Sequence, residues 1–280
     1  MKILKSIYEN EVEVKEISVL KSLFIIIMFT LIPGIINFLS TFIMILIDEN
    51  ISMGSVMIIA GIILIPVHMI IIIMVGKKYT QKDIIKINDK KVKINNKDFL
   101  YVFLIIIGYI LIREAILFDV LSQFEGPISE DDIDFFIDNA ETIEVVIFGF
   151  LMYFQTLITA PIFEELLFRG IILNGLLNKY KNSSKKAIIY SAMVFGLVHL
   201  NIPQGINAFI GGIILGFIYC YTKSMKLSIF AHFINNLITF VPVPESLIFK
   251  FIYIVIGTYV IMKGIKYIRN IKFINISETN

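Results

Sequence analysis

The stretch Ala160-Pro161-Ile162-Phe163-Glu164-Glu165-Leu166-Leu167-Phe168-Arg169-Gly170 sets two carboxylates and a guanidinium in a run otherwise as apolar as a bilayer. Each ionisable group at membrane depth costs at least ~2.5–3.5 kcal/mol on insertion scales, so such groups mark surfaces that face a bundle interior. On a helix, Glu165 and Arg169 stack one turn apart and can pair. Glu164 lies about 100° round the helix and looks onto Phe168 instead. One carboxylate is thereby held as structure and the other is left for chemistry.

Two later stretches carry the remaining candidates. His199 closes Phe195-Gly196-Leu197-Val198-His199, and His232 opens His232-Phe233-Ile234-Asn235-Asn236. Asn236 is four residues after His232 and shares its helical face, whereas Asn235 points elsewhere. A carboxylate and a histidine on facing helices can together draw a proton from water, giving a nucleophile for a carbonyl carbon. A second histidine and an amide, both donors, suit the oxyanion that then forms. The other chemistry is a divalent metal such as zinc on Glu164, His199 and His232, with water in an open position. The usual His-Glu-x-x-His helix is absent, and the residues alone leave both chemistries open. His68, in Ile65-Pro66-Val67-His68, has no polar neighbour in sequence and reads as a packing or cavity histidine. A Glu–Arg clasp or a lone histidine needs no chemistry to explain it, but three polar clusters in otherwise apolar stretches favour a shared site.

These residues must be positioned by membrane helices. Of 280 residues, 57% are hydrophobic and 17% charged, against roughly half and a quarter in soluble domains, so the composition is that of an all-α polytopic bundle. Apolar stretches of about 20 residues are candidate spans. Eight are expected, near residues 23–47, 52–75, 99–118, 143–177, 187–200, 204–222, 227–241 and 247–262. They form one integral membrane domain across residues 1–280, with a motif-bearing core at about 143–241 and the spans at 23–118 peripheral to it. The stretch 143–177 would measure roughly 50 Å at 1.5 Å per residue, so it is expected to be one tilted or broken helix, with the break just before Pro161.

Charge segregation gives the orientation. Residues 76–98 hold eight lysines against three aspartates, and residues 125–144 hold eight acids with no Lys or Arg. Positive loops stay inside, so both termini are expected in the cytoplasm and the acidic loop outside. The acids lack the spacing of a calcium loop. The basic residues lack interleaved aromatics, which argues against nucleic acid as a partner. Cys220 is the only cysteine and reads as a small packing residue. No cleavable signal peptide is expected, because the first eighteen residues mix lysines with glutamates. No internal repeat is visible, which argues against a transporter built on repeated halves. Ala208, Gly212 and Gly216 make a smooth face for a neighbouring helix.

A depth estimate tests whether the candidates can meet. Counted from the nearest inner lysine, Glu164 lies ~22 Å deep, His199 ~20 Å, Asn236 ~15 Å and His232 ~9 Å. All four can line one cavity open to the inner half of the membrane, with His232 the weakest fit.

Glu164-Glu165-x-x-x-Arg169, Phe195-x-x-x-His199 and His232-x-x-x-Asn236, in that order, resemble the three motifs of the CPBP family. These are the CAAX prenyl protease and bacteriocin-processing membrane proteins, also called Abi proteins or type II CAAX proteases. The motifs cover under a third of the chain. The resemblance implies an intramembrane endopeptidase of the bacterial plasma membrane acting on a membrane-associated peptide or protein. Glu164 would be the general base, assisted by His199. His232 and Asn236 would hold the oxyanion, and Glu165 and Arg169 would support the site. The family has been described both as metalloproteases and as metal-independent glutamate proteases, so a metal stays open. The rivals are a bacteriocin self-immunity or scaffold protein that binds through the same cavity, and a proton-coupled transporter.

Overall fold

Polar residues mark where the helices begin. Ser18, Ser52, Asn95, Ser183, Asn201 and Ser224 each accept a backbone N–H of the first turn that follows, satisfying donors that a new helix otherwise leaves orphaned. Asn95 and Asp98 form a reciprocal capping box. The computed structural model describes residues 2–81, 94–124, 141–241, 244 and 246–277, with side chains described as far as residue 271. A short helix α1 (Lys2–Tyr8) and strand β1 (Glu13–Val14) lead into α2 (Val19–Ile47) and α3 (Met53–Tyr79). Strand β2 (Thr80–Gln81) pairs antiparallel with β1, Glu13 opposite Gln81. Then come α4 (Asn96–Ile116), a short α5 (Phe118–Leu121) and the long helix α6 (Thr142–Lys179). The remaining helices are α7 (Ser184–Leu197), α8 (Ile202–Thr222), α9 (Met225–Ile238) and α10 (Leu247–Ser277).

This is an all-α polytopic bundle. Each expected span is a helix, but among the described residues six are long and apolar enough to cross a membrane: α2, α3, α4, α6, α8 and α10. The expected eight full spans are therefore reduced to six. The two that fall short, α7 and α9, have 14 residues each, about 21 Å of helix against a hydrocarbon core near 30 Å. Both carry motif residues. Most of the lysine-rich loop (residues 82–93), most of the acidic loop (125–140) and most of the turn at 242–245 lie outside the described residues.

Helix α6 runs unbroken through 38 residues. In place of the expected break before Pro161, the chain widens into a π turn over Gln155–Thr159, and a second π segment covers Phe168–Leu173. Pro161 has no N–H to give, and a wider turn absorbs the missing bond without a break.

Two apolar clusters hold the bundle. The first joins Ile7, Ile17, Phe29 and Ile72 from the N-terminal elements to Leu167, Ile171, Phe195 and Tyr219 of the motif region. The second joins Val102, Ile105 and Tyr109 of α4 to Leu215, Leu227, Ala231 and Ile268. The N-terminal helices thus share a core with the motif helices. Helix α7 packs along the small-residue face of α8: a Cβ at Gly212 would stand 3.1–3.2 Å from Phe195 and Ala192, a backbone approach that small residues permit.

Candidate functional site

Arg169 and Glu165 lie one turn apart on α6 with almost no exposed surface, 1% and 0%. Arg169 Nη1 donates to Glu165 Oε1 at 2.8 Å. Its Nη2 donates to the Gly212 carbonyl of α8 at 3.2 Å, and the guanidinium lies 4.9 Å from the centre of the Phe195 ring, within cation–π range. One side chain therefore ties α6 to both α7 and α8.

The same Glu165 oxygen also receives His232 Nδ1 at 2.9 Å. With Nδ1–H donated to a carboxylate, the other nitrogen of His232 faces Glu164, Nε2 standing 3.8 Å from Glu164 Oε2. Residues 67 positions apart thus meet in one buried cluster, Arg169–Glu165–His232–Glu164. The burial differs within it. Glu165 is sealed, while Glu164 keeps 19% of its side chain exposed and lines a cavity of about 110 Å³ between α2, α3 and α6. Glu165 Oε2 and Arg169 Nε are buried without a hydrogen-bond partner.

His199 lies beyond the end of α7, in the turn where its N–H bonds to Gly196 O at 3.3 Å. The sequence reading places it inside a span, and the structure corrects this. Leu200, next to it, takes the left-handed conformation at φ 53°, which stops the helix. The Phe195 ring packs against both histidines in near-perpendicular contacts, 5.3 Å from His199 and 5.8 Å from His232. His199 Nδ1 donates to the Phe195 carbonyl at 3.1 Å, leaving Nε2 as its available nitrogen.

Asn236 is committed to structure in a way that α6 explains. In the π turn, Ala160 N–H bonds to Gln155 O, five residues back. Thr156 O thereby loses its ordinary α-helical partner, and Pro161 has no N–H to offer in its place. Asn236 Nδ2 fills the vacancy, donating to Thr156 O at 2.9 Å. Its Oδ1 accepts from Asn235 Nδ2 at 3.2 Å. The amide expected to face an oxyanion has one of its two hydrogens already engaged.

The donor set tests the metal alternative. Among the described residues, no group of three His, Cys, Asp or Glu side chains is placed to hold a metal ion. The expected triad of Glu164, His199 and His232 is not among such groups, and His199 and His232 each pack against the Phe195 ring, at 5.3 and 5.8 Å. The residues present do not fit such an ion, and no step is derived through one.

His68, read from the sequence as a packing or cavity histidine, lies on the wall of the cavity onto which Glu164 opens. Its Nδ1 donates to Leu64 O at 2.9 Å, and its ring lies 4.7 Å from that of Phe29. A polar side chain in an apolar span is the available signal, and nothing local shows that the same cavity is shared with Glu164, far along the chain.

The structure thus defines a multi-pass integral membrane protein with a buried, charged, histidine-bearing site inside its helix bundle. Over residues 146–238 the chain matches the family of type II CAAX prenyl endopeptidases, Rce1-like, which bears out the resemblance carried by the three motifs. It is similar to YdiL of Bacillus subtilis (strain 168), whose name describes it as a candidate membrane peptidase, with 34% identity over 95 residues. That alignment covers 34% of this chain and 37% of the relative, so the chain spans little more than a third of the protein it matches. No solved structure matches the chain at significance. The matched segment contains every motif residue from Glu164 to Asn236.

Proposed function

We propose that the protein is an intramembrane endopeptidase in which Glu164 activates water for attack on a peptide carbonyl of a membrane-associated substrate. The observation that carries this reading is the unequal burial of adjacent carboxylates. Glu165 is locked by Arg169 and His232, while Glu164 keeps exposed surface on a cavity. An unlocked carboxylate within reach of a histidine is the arrangement general-base chemistry needs.

The step balances as follows. Glu164 takes a proton from water, the water oxygen bonds to the carbonyl carbon, and the carbonyl electron pair moves onto oxygen. His232, held through Nδ1 by Glu165, directs Nε2 to the same locality, where a protonated nitrogen donates to the oxyanion. Collapse breaks the C–N bond, and the proton held by Glu164 passes to the leaving amine. His199 and Asn236 belong to the same assignment. His199 Nε2 is open for a supporting proton contact, and the second Asn236 amide hydrogen is open for the oxyanion. A neighbouring groove of about 270 Å³ between α6 and α9, lined by Leu157, Ile158, Ile162, Ile229 and Phe233 with Lys226 at its rim, supports a substrate that keeps apolar side chains in the membrane. The excess of lysines at residues 76–98 supports entry from the cytoplasmic side, with both termini there.

The test uses the full chain in proteoliposomes with two internally quenched peptides. One is farnesylated on a C-terminal Cys-aliphatic-aliphatic-X sequence, and the other is anchored by an N-terminal palmitoyl group. Wild-type protein is expected to cut at least one of them, and Glu164→Ala to lose about 10³-fold in rate while keeping its helical content. Equal, measurable rates for wild type and Glu164→Ala would remove Glu164 from the mechanism, and no cutting of either peptide by the wild type would overturn the reading in favour of a binding or immunity role.

A further inference from the structure

Glu164 has two neighbourhoods. On one side stands His232 Nε2 at 3.8 Å. On the other lies the cavity of about 110 Å³, whose walls come from α2, α3 and α6. A cavity of that size with four polar residues on its wall has room for several waters, since one needs only ~10–15 Å³ of such space. The polar residues lining it are Glu164, His68, Gln155 and Thr159. Gln155 Nε2 is tied to Gly61 O at 2.9 Å, and Thr159 Oγ1 to Gln155 O at 3.2 Å. That leaves Glu164 and His68 to handle solvent.

His68 is set for one task. Its Nδ1 donates to Leu64 O, one helical turn back. A neutral imidazole whose Nδ1 carries the hydrogen has a lone pair on Nε2. The edge of the ring is fixed by that bond and its face by Phe29, so Nε2 is a preset acceptor on a residue that lines the cavity Glu164 opens to. His199, the expected assistant of Glu164, does not line this cavity.

We infer that His68 is a further catalytic residue, its Nε2 accepting one hydrogen of the attacking water while Glu164 accepts the other. The inference rests on the peptidase reading above. With both hydrogens held, the water presents its lone pair to the carbonyl carbon at no further orientational cost. Glu164 alone takes the proton and returns it to the leaving amine. His68 keeps its hydrogen bond through the step and gains or loses nothing. The N-terminal half of the chain, outside the family match at residues 146–238, thereby contributes a group to the reacting centre.

The test compares His68→Leu, His68→Gln and Glu164→Gln in the same proteoliposomes, using whichever quenched peptide the wild type cuts. His68→Leu nearly keeps the bulk and removes the acceptor. Its kcat is expected to fall about 100-fold with KM within about twofold, since positioned proton handling contributes roughly 10²–10⁴-fold. His68→Gln offers an amide oxygen near the place of Nε2 and is expected to recover about tenfold of the loss. His68→Leu at wild-type kcat beside an inactive Glu164→Gln overturns the inference and leaves the peptidase reading standing. Equal losses in both His68 variants, matched by equal losses of thermal stability, also overturn it, because packing then explains the effect. An active Glu164→Gln removes Glu164 from the proposed mechanism, and the inference falls with it.

Discussion

Replacing Arg169 by methionine should be the most damaging single change to the fold, and its rescue should separate stability from chemistry. Arg169 is 1% exposed, and its loss leaves the Glu165 carboxylate, 0% exposed, without a cation beside it. Removing one member of a buried pair costs about 3–5 kcal/mol, because the surviving charge stays desolvated. The bond to Gly212 O and the contact with Phe195 are smaller, since hydrogen bonds between membrane helices average about 0.6 kcal/mol and cation–π contacts contribute about 0.5–2 kcal/mol. The stranded charge decides the total. At about 1.4 kcal/mol per decade, the folded population relative to the unfolded should drop by roughly 10²–10³-fold or more. In Glu165→Gln/Arg169→Met no buried charge remains at this pair, and the introduced amide oxygen can still accept from His232 Nδ1, so most of the stability should return. Activity should not return, because the charge that orients His232 is gone. The assay is unfolding of the purified full chain by SDS titration in dodecylmaltoside, followed by far-ultraviolet circular dichroism, with peptidase rates measured in parallel. Stability of Arg169→Met within about 1 kcal/mol of wild type, or a double variant no more stable than Arg169→Met, would refute the reasoning.

Asn236→Ala should cost about 1–3 kcal/mol, the range for a buried acceptor left unsatisfied, because Thr156 O loses the partner that replaced its helical one; SDS unfolding measures it, and no change would mean that solvent replaces the amide. Gly175→Ala should destabilise by about 1–3 kcal/mol through overpacking, since the new Cβ would stand 2.4–2.6 Å from Ile17; adding Ile17→Ala should relieve the clash, although removing those methylenes itself costs stability, so the coupling in a double-mutant cycle is the quantity to read. Tyr219→Phe should cost about 1–3 kcal/mol, because Asn10 Oδ1 and Asn174 Nδ2 both lose the hydroxyl they bind at 2.6 and 2.8 Å; the same unfolding titration reads it. Phe233→Gln, on the groove wall, should raise KM for an apolar peptide about tenfold with kcat within about threefold; a fall in kcat alone would move the groove out of substrate binding.

What can be read from the chain follows from how far each interaction reaches. The helices follow from apolar run length and the Glu165–Arg169 pair from i,i+4 spacing, both local. Glu164 is told apart from Glu165 by about 100° of helical phase, also local. The partners of those residues are not local. Counting from Lys226 places His232 shallowest, yet it binds Glu165, because rise along a straight axis ignores how α9 lies against α6. Assigning it to the oxyanion leaves out Glu165 as the group that orients it. His199 belongs by hydropathy to a span whose helix stops two residues earlier, and nothing in Val198-His199-Leu200 announces a left-handed leucine. The strap formed by residues 2–17 is invisible in the sequence for the same reason. Asn10 reaches Tyr219 and the Lys223 carbonyl, 209 and 213 residues away, and Ile17 N–H bonds to Gly175 O.

The two π segments explain why the proposed catalytic carboxylate sits on so long a helix. A straight α6 of 38 residues would carry one fixed phase from end to end. Each π turn inserts about one extra residue and rotates everything beyond it by roughly 100°. The segment Ala160–Leu167 lies between two such turns, Gln155–Thr159 before it and Phe168–Leu173 after it. Its orientation is held by the contact of Glu165 with His232 and by Arg169 in the second π segment, which binds both Glu165 and the Gly212 carbonyl. The first π turn has its own use, releasing the Thr156 carbonyl that fastens α9 through Asn236. Pro161 favours that turn by lacking an N–H, so a residue with no part in the chemistry connects the distortion of α6 to the position of His232, one turn from Asn236. The short helix α9, with 14 residues, fits the same account, since Asn236 near its end meets the Thr156 carbonyl of α6.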